Sequence, residues 1–215
     1  MKDTDKLWLN VWSKEKYPSC GELSTKEGMD VGFASFAYAM GRYFGEGVKL
    51  LDYGCGPARF CNFMSSRLKD FKYYGIEPNS EYGINCIQKA KEFYKKDRRI
   101  SLGLIGDDIE SESIKEADVA LLCSIFTHLT IEQTESILYK LYPIIENDGI
   151  IVFSMIIGNE YEICKPGHYS IEETYGIVYN TEEQIRELTR MYDIELKDRW
   201  MTPKKHLHSI YVIRG

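Results

Sequence analysis

The stretch Val48–Phe60, VKLLDYGCGPARF, constrains this chain more than any other. Val48, Leu50 and Leu51 form a short apolar run that stops at an acid and a pair of glycines, the pattern of a buried parallel strand entering a tight turn. Gly54 and Gly56 bracket one residue, which lets the backbone take positive φ and approach a ligand with no Cβ in the way. From Ala58 onward, Phe60, Phe63, Met64 and Leu68 recur at helical spacing, and a helix there aims the free N–H groups of its first turn back at the glycines. Strand, glycine turn and helix together form a cradle for a nucleotide cofactor.

Two kinds of nucleotide fold share that cradle. A dinucleotide site wants Gly-x-Gly-x-x-Gly, with pyrophosphate at the helix N-terminus, and here Arg59 holds the third glycine's place. Asp52, two residues before the first glycine, makes the mouth of the loop less hospitable to an anion and better suited to a cation. At Asp52, Gly54, Cys55 and Gly56 the sequence resembles the class I S-adenosylmethionine-dependent methyltransferases, whose first motif often reads Asp-x-Gly-Cys-Gly. A nicotinamide-dependent oxidoreductase and a non-catalytic cofactor-binding subunit remain as alternatives.

The pattern repeats downstream. Phe71–Ile76 is a strand ending at Glu77, and Ser80 or Asn79 caps a helix whose apolar face is Ile84, Ile87, Ala90 and Phe93. Glu77 follows Asp52 at somewhat more than the ~20 residues typical of the acid that binds a ribose in βαβ nucleotide folds. Ile100–Ile105 is a third strand, closed by Asp107 and Asp108. Val119–Cys123 is a fourth, running into a loop that carries His128, after which Thr130 and Gln133 make a capping box. Ile150–Ile156 is a fifth strand. Ile157–Asn180 reads as a long irregular lid or binding loop. Thr181 and Gln184 form a second capping box, with Ile185 and Leu188 facing inward. Ile194–Arg199 and Leu207–Ile213 close the sheet as an antiparallel pair. The expected fold is therefore α/β, a three-layer αβα Rossmann-like sandwich. Its seven-stranded sheet is mostly parallel with an antiparallel last strand, as the resemblance also implies.

The resemblance implies a cofactor, S-adenosyl-L-methionine, and residues to hold it. These are Asp52, Tyr53, Gly54, Cys55 and Gly56 at the first strand end, Glu77 for the ribose, Asp107 or Asp108 for the adenine amino group, and Cys123. Ligands of open α/β sheets sit outside the carboxyl ends of the strands, where all these residues fall. His128 lies at the same edge, and its ordinary pKa suits a general base near neutral pH if the acceptor is a hydroxyl or protonated amine. Tyr161 and Tyr169, in the aromatic-rich loop, are the candidate substrate contacts.

Residues 1–29 read as an N-terminal helical lid or brace, with Trp8 and Trp12 on one face, ahead of a domain spanning 30–215 whose first helix Asp30 caps, with Phe33, Phe36, Ala37, Met40, Tyr43 and Phe44 on its apolar face. Over 215 residues the formal net charge is -6, which argues against a broad nucleic-acid footprint. The six cysteines include no C-x-x-C pair, and no stretch approaches the ~18 apolar residues of a membrane span, so a cytoplasmic protein acting on a small molecule is expected. The loop after the fourth strand, Cys123-Ser124-Ile125-Phe126, lacks the Asn/Asp-Pro-Pro-aromatic motif of enzymes that methylate nucleic-acid amino groups, and a hydroxyl is slightly favoured over an amine as acceptor. His206 and His208 share a strand face, but with no third ligand they do not make a metal site. The oligomeric state is not legible.

Overall fold

The computed structural model describes residues 26–158, 162–163, 178–201 and 207–214. Among them a mixed sheet of nine strands carries helices on both faces. Strand β1 (Val48–Tyr53) lies at its centre, with β2 (Phe71–Glu77) and then β3 (Ile100–Leu104) parallel to it on one side. On the other side come β4 (Val119–Leu122) and β5 (Ile150–Ile157), also parallel. The two remaining long strands, β8 (Asp193–Met201) and β9 (Leu207–Arg214), complete seven: β9 pairs antiparallel with β5, and β8 antiparallel with β9. The sheet thus runs β3-β2-β1-β4-β5-β9-β8.

Two short strands were not legible in the sequence. Glu162–Ile163 (β6) and Val178–Asn180 (β7) form an antiparallel ribbon, so Ile157–Asn180 is not wholly irregular. Ile156 pairs with both Tyr179 and His208, which places β7 and β9 on opposite edges of β5. β7 takes the edge that β4 leaves free after its last pairing, Leu122 with Phe153.

Side chains alternate across each strand, and the two faces bury separate cores. Leu50, Tyr73, Leu121 and Val152 pack under α1 (Lys26–Met40), α2 (Arg59–Ser65) and α3 (Glu81–Phe93). Leu51, Ile76, Leu122 and Phe153 pack under α4 (Asp108–Glu116), α5 (Ile131–Glu146) and α6 (Glu182–Met191). Each fully buried Leu, Ile or Phe contributes roughly 1.5–3 kcal/mol. Phe33, Phe60 and Phe63 meet edge to face across α1 and α2, at centroid distances of 5.2 and 5.7 Å.

Both capping boxes form, at Thr130 with Gln133 and Thr181 with Gln184, and Ser80 caps α3 by accepting from Gly83 N. Two expectations are corrected. The first helix begins at Lys26, so Asp30 lies within it and is not its cap. The inward stripe of α3 is Gly83, Cys86, Ile87 and Ala90, while Ile84 and Phe93 are exposed; at Gly83 a Cβ would stand 2.1 Å from the Pro78 carbonyl oxygen, a close approach that only glycine permits. Helix α4 was unforeseen because two of its buried positions are Glu110 and Ser113, which carry no apolar signal. The segment read as a lid or brace lies, up to residue 25, outside the described residues.

Candidate functional site

The turn after β1 is fastened to the end of β2. Gly54 N and Cys55 N both donate to the Ile76 carbonyl, at 2.8 and 3.1 Å. Gly54 has φ +79° and Gly56 φ +53°, the left-handed region that favours glycine. The two glycines serve different ends. A Cβ on Gly54 would fall 2.2 Å from Ile125 Cδ1, so the loop after β4 closes directly onto it. A Cβ on Gly56 would meet only the Tyr82 hydroxyl at 4.0 Å, so open space adjoins the backbone there.

Gly54→Ala is therefore expected to cost ~1–2 kcal/mol from the left-handed backbone and ~1–3 kcal/mol from overlap with Ile125. Urea unfolding of the single variant and of Gly54→Ala with Ile125→Ala checks this, since the second change should recover the overlap component alone.

Two carboxylates lie buried beside the turn. Asp52 is 3% exposed and accepts a 2.5 Å hydrogen bond from the Tyr73 hydroxyl. Glu77, 5% exposed, accepts from Gly56 N, so the acid at the end of β2 holds the glycine turn directly. Burial pushes both carboxyls up to about 7; the Tyr73 bond and the Arg59 charge hold Asp52 back, and the Gly56 bond holds Glu77 back. The Asp52 charge adds to the rise at Glu77.

The raised values set a pH dependence. Between the ordinary carboxylate range and about pH 7 the folded protein binds more protons at these two sites than the unfolded chain does, so its stability falls as pH rises through that window. Urea midpoints at pH 5 and pH 8 should show the decline, and Asp52→Asn with Glu77→Gln should flatten it; an unchanged slope in the double variant would assign the decline to other groups.

The other candidates are placed less uniformly. Asp107 precedes the first turn of α4, and its Oδ2 accepts from Leu104 N at 2.9 Å, bracing the end of β3; Asp107 and Asp108 are both exposed at that edge. Tyr53 belongs to the core on the opposite sheet face from Asp52 and Glu77, where burial pushes its phenol up to about 12. Its side chain does not join the acids. The Cys55 thiol is buried too, with its pKa raised well above the ordinary thiol value, and it donates to the Gly56 carbonyl at 3.3 Å. It packs where a Cβ on Gly75 would stand, so Cys55 fills the core and offers a ligand only its backbone. Cys123, half-buried, lies just past the end of β4 against the α1–α3 core. His128 ends a 3-10 turn, Phe126–His128, in the loop between β4 and α5, and is half-buried at the same sheet edge. Tyr161, Tyr169 and His206 lie outside the described residues. No group of three or more His, Cys, Asp or Glu gathers as metal ligands among the described residues.

Three contributors were missed from sequence. Tyr73 is opposite Leu50 and shares a face with Asp52 and Glu77 at period two, but only the β1–β2 register reveals it. Ser124 has φ 59°, and its N donates to Ser154 Oγ at 3.1 Å, tying the loop after β4 to β5. Ile125 seals the loop against Gly54.

Acids buried at the first two strand ends of this sheet, around a glycine turn, sit in the fold of the class I methyltransferases. The cyclopropane synthase MmaA2 from Mycobacterium tuberculosis superposes with a TM-score of 0.64 at 12% identity, covering 100% of this chain and 94% of that one. Magnesium protoporphyrin IX methyltransferase from Synechocystis PCC 6803, solved with bound SAM, gives 0.59 at 11% identity over 100% and 92%. The pyocyanin biosynthetic protein PhzM gives 0.61 at 14% identity over 88% of this chain, which spans only 56% of PhzM's length. No protein-family profile and no curated protein sequence matches the chain. No helix among the described residues is long and apolar enough to cross a membrane.

Proposed function

We propose that the protein is an S-adenosylmethionine-dependent methyltransferase acting on a small organic acceptor, a hydroxyl in preference to an amine. The observation that carries this reading is the hydrogen bond from Gly56 N to the buried Glu77 carboxylate, with buried Asp52 beside it. Two buried acids, each raised by desolvation, form a site that gains from a cationic ligand with hydroxyl donors and repels an anionic one. S-adenosylmethionine fits that donor set, because it brings an ammonium, a sulfonium and a ribose diol. A pyrophosphate fits it poorly.

In this reading Glu77 accepts from the ribose hydroxyls, Asp52 meets the amino group directly or through water, and Asp107 or Asp108 accepts from the adenine amino group. The backbone at Gly56 gives the ligand close approach. When bound, the cofactor supplies a methyl group already activated by its sulfonium. The protein's part is then to hold acceptor and methyl in line and to exclude water. His128 takes the acceptor's proton as general base. Tyr161 and Tyr169, outside the described residues, supply the acceptor contacts in this reading, and a cytoplasmic setting suits the free cysteines among the described residues.

Calorimetric titration with S-adenosylmethionine, S-adenosylhomocysteine and NAD tests the assignment. Binding of the two sulfur nucleosides without NAD is expected. NAD binding with no response to either would replace this reading with an oxidoreductase. Transfer of labelled methyl groups to cell extract then separates an enzyme from a binding subunit.

A further inference from the structure

We propose that the tip formed by the end of α3 and the turn into β3 docks on an anionic membrane surface, an inference that stands apart from the methyltransferase reading above. The segment Lys89–Arg99 holds six cations, Lys89, Lys91, Lys95, Lys96, Arg98 and Arg99, against two acids, in a chain whose net charge is -6. The first five are exposed. Arg99 is committed to the fold: it pairs with Asp97 at 2.6 Å, donates to the Lys69 carbonyl at 2.9 Å and lies over the Phe71 ring. That pairing also occupies Asp97, so within the segment only Glu92 offsets the five exposed cations.

Phe93 stands among them, 75% exposed, with Lys89 one turn back on the same side of α3. Its ring is held in place: Tyr94 meets it edge to face at a centroid distance of 4.8 Å, and the Tyr94 hydroxyl donates to the Ala58 carbonyl at 3.1 Å. A single exposed aromatic carries no message, but one fixed among cations has the composition of an interfacial anchor, with the ring entering the headgroup boundary and the cations meeting anionic lipid. Position then decides the partner's shape. β3 is an edge strand, and α3 runs back from the carboxyl end of β2 to the opposite end of the sheet, so the tip occupies a corner of the molecule. A corner meets a flat surface, whereas a single-stranded nucleic acid is tracked by a charged groove. The 13 residues of α3 span ~20 Å, well over the Debye length of ~8 Å, so Asp52, Glu77 and the other acids of the carboxyl edge do not repel the docked surface.

Cosedimentation of the full chain with lipid vesicles tests the proposal. Vesicles of phosphatidylcholine with phosphatidylserine should bind the protein, vesicles of phosphatidylcholine alone should not, and added salt should release it. Replacing three cations at once, Lys95→Gln with Lys96→Gln and Arg98→Gln, should weaken binding about 100-fold, roughly fivefold for each. Phe93→Ser should weaken it about 10-fold by removing the inserted ring. All four side chains are exposed, so both variants retain the fold. Equal binding to the two kinds of vesicle, binding to neither, or wild-type binding by either variant would overturn the proposal. So would displacement of the vesicles by a single-stranded oligonucleotide that binds more tightly, which would make the tip a nucleic-acid site. Affinity for S-adenosylhomocysteine should be the same in wild type and both variants, so a failure here leaves the methyltransferase reading standing.

Discussion

Glu77→Ala is expected to abolish measurable binding of S-adenosylmethionine and S-adenosylhomocysteine alike. In the proposed site the two ribose hydroxyls make charge-assisted bonds of ~1.5–3 kcal/mol each, so their combined loss corresponds to roughly 10²–10⁴-fold in affinity. A second effect adds to it, since the same carboxylate accepts from Gly56 N and its removal loosens the turn that the ligand must approach. Glu77→Gln keeps the side chain's shape and an acceptor for Gly56 N, so it should retain more affinity than the alanine variant. Asp107→Ala provides the scale: in the proposed reading it removes one adenine contact and should cost only ~1 kcal/mol. Because the cofactor's methyl and charge play no part at the ribose, both nucleosides should respond equally. If Glu77→Ala titrates like wild type with both, the end of β2 is not the ribose site.

The second large effect is on turnover. His128→Ala should lower kcat by ~10²–10⁴ while leaving the dissociation constant of S-adenosylhomocysteine unchanged, the signature of a group that acts on the acceptor's proton. His128 stands past the end of β4, next to β1 in the sheet, on a turn whose loop is secured by the Ser124–Ser154 bond and by Ile125 against Gly54. A side chain on such a fixed loop can be positioned for proton transfer. A variant with normal kcat and a raised acceptor KM would make His128 part of the pocket wall and leave the base to be found elsewhere.

The long strands, taken along the chain, and the antiparallel last pair were legible because the relevant signals are local, while the layering followed from the resemblance. VKLLD, FKYYGI and IIVFSMI are apolar runs bounded by acids, glycines or caps, and both Thr-x-x-Gln boxes identify helix starts. What was not legible depends on register or on polar burial. Tyr73 reaches Asp52 only because Leu50 pairs with Tyr73, which no periodicity in either strand states. Helix α4 hides behind buried Glu110, which accepts from Gly106 N and pairs with Lys140 from α5. Tyr53 follows Asp52 in sequence but, at period two, must point through the sheet to the other core. Motif matching places a run of residues at a site; the pleat decides which of them reach it.

In the proposed reading, where Tyr169 contacts the acceptor, the β6–β7 ribbon lets that contact region vary without changing the frame. Residues 162–163 and 178–180 are pinned to each other, and through β7 to β5, by backbone hydrogen bonds that make no demand on side-chain identity. The chain between those two stems can therefore be rewritten in length and composition as a unit. Loop-closure cost grows only logarithmically, about 0.6 kcal/mol for each doubling of length. Related sequences with this scaffold could thus exchange the segment wholesale, like a cassette, and diverge in the molecules they accept while Asp52, Gly56 and Glu77 stay in place.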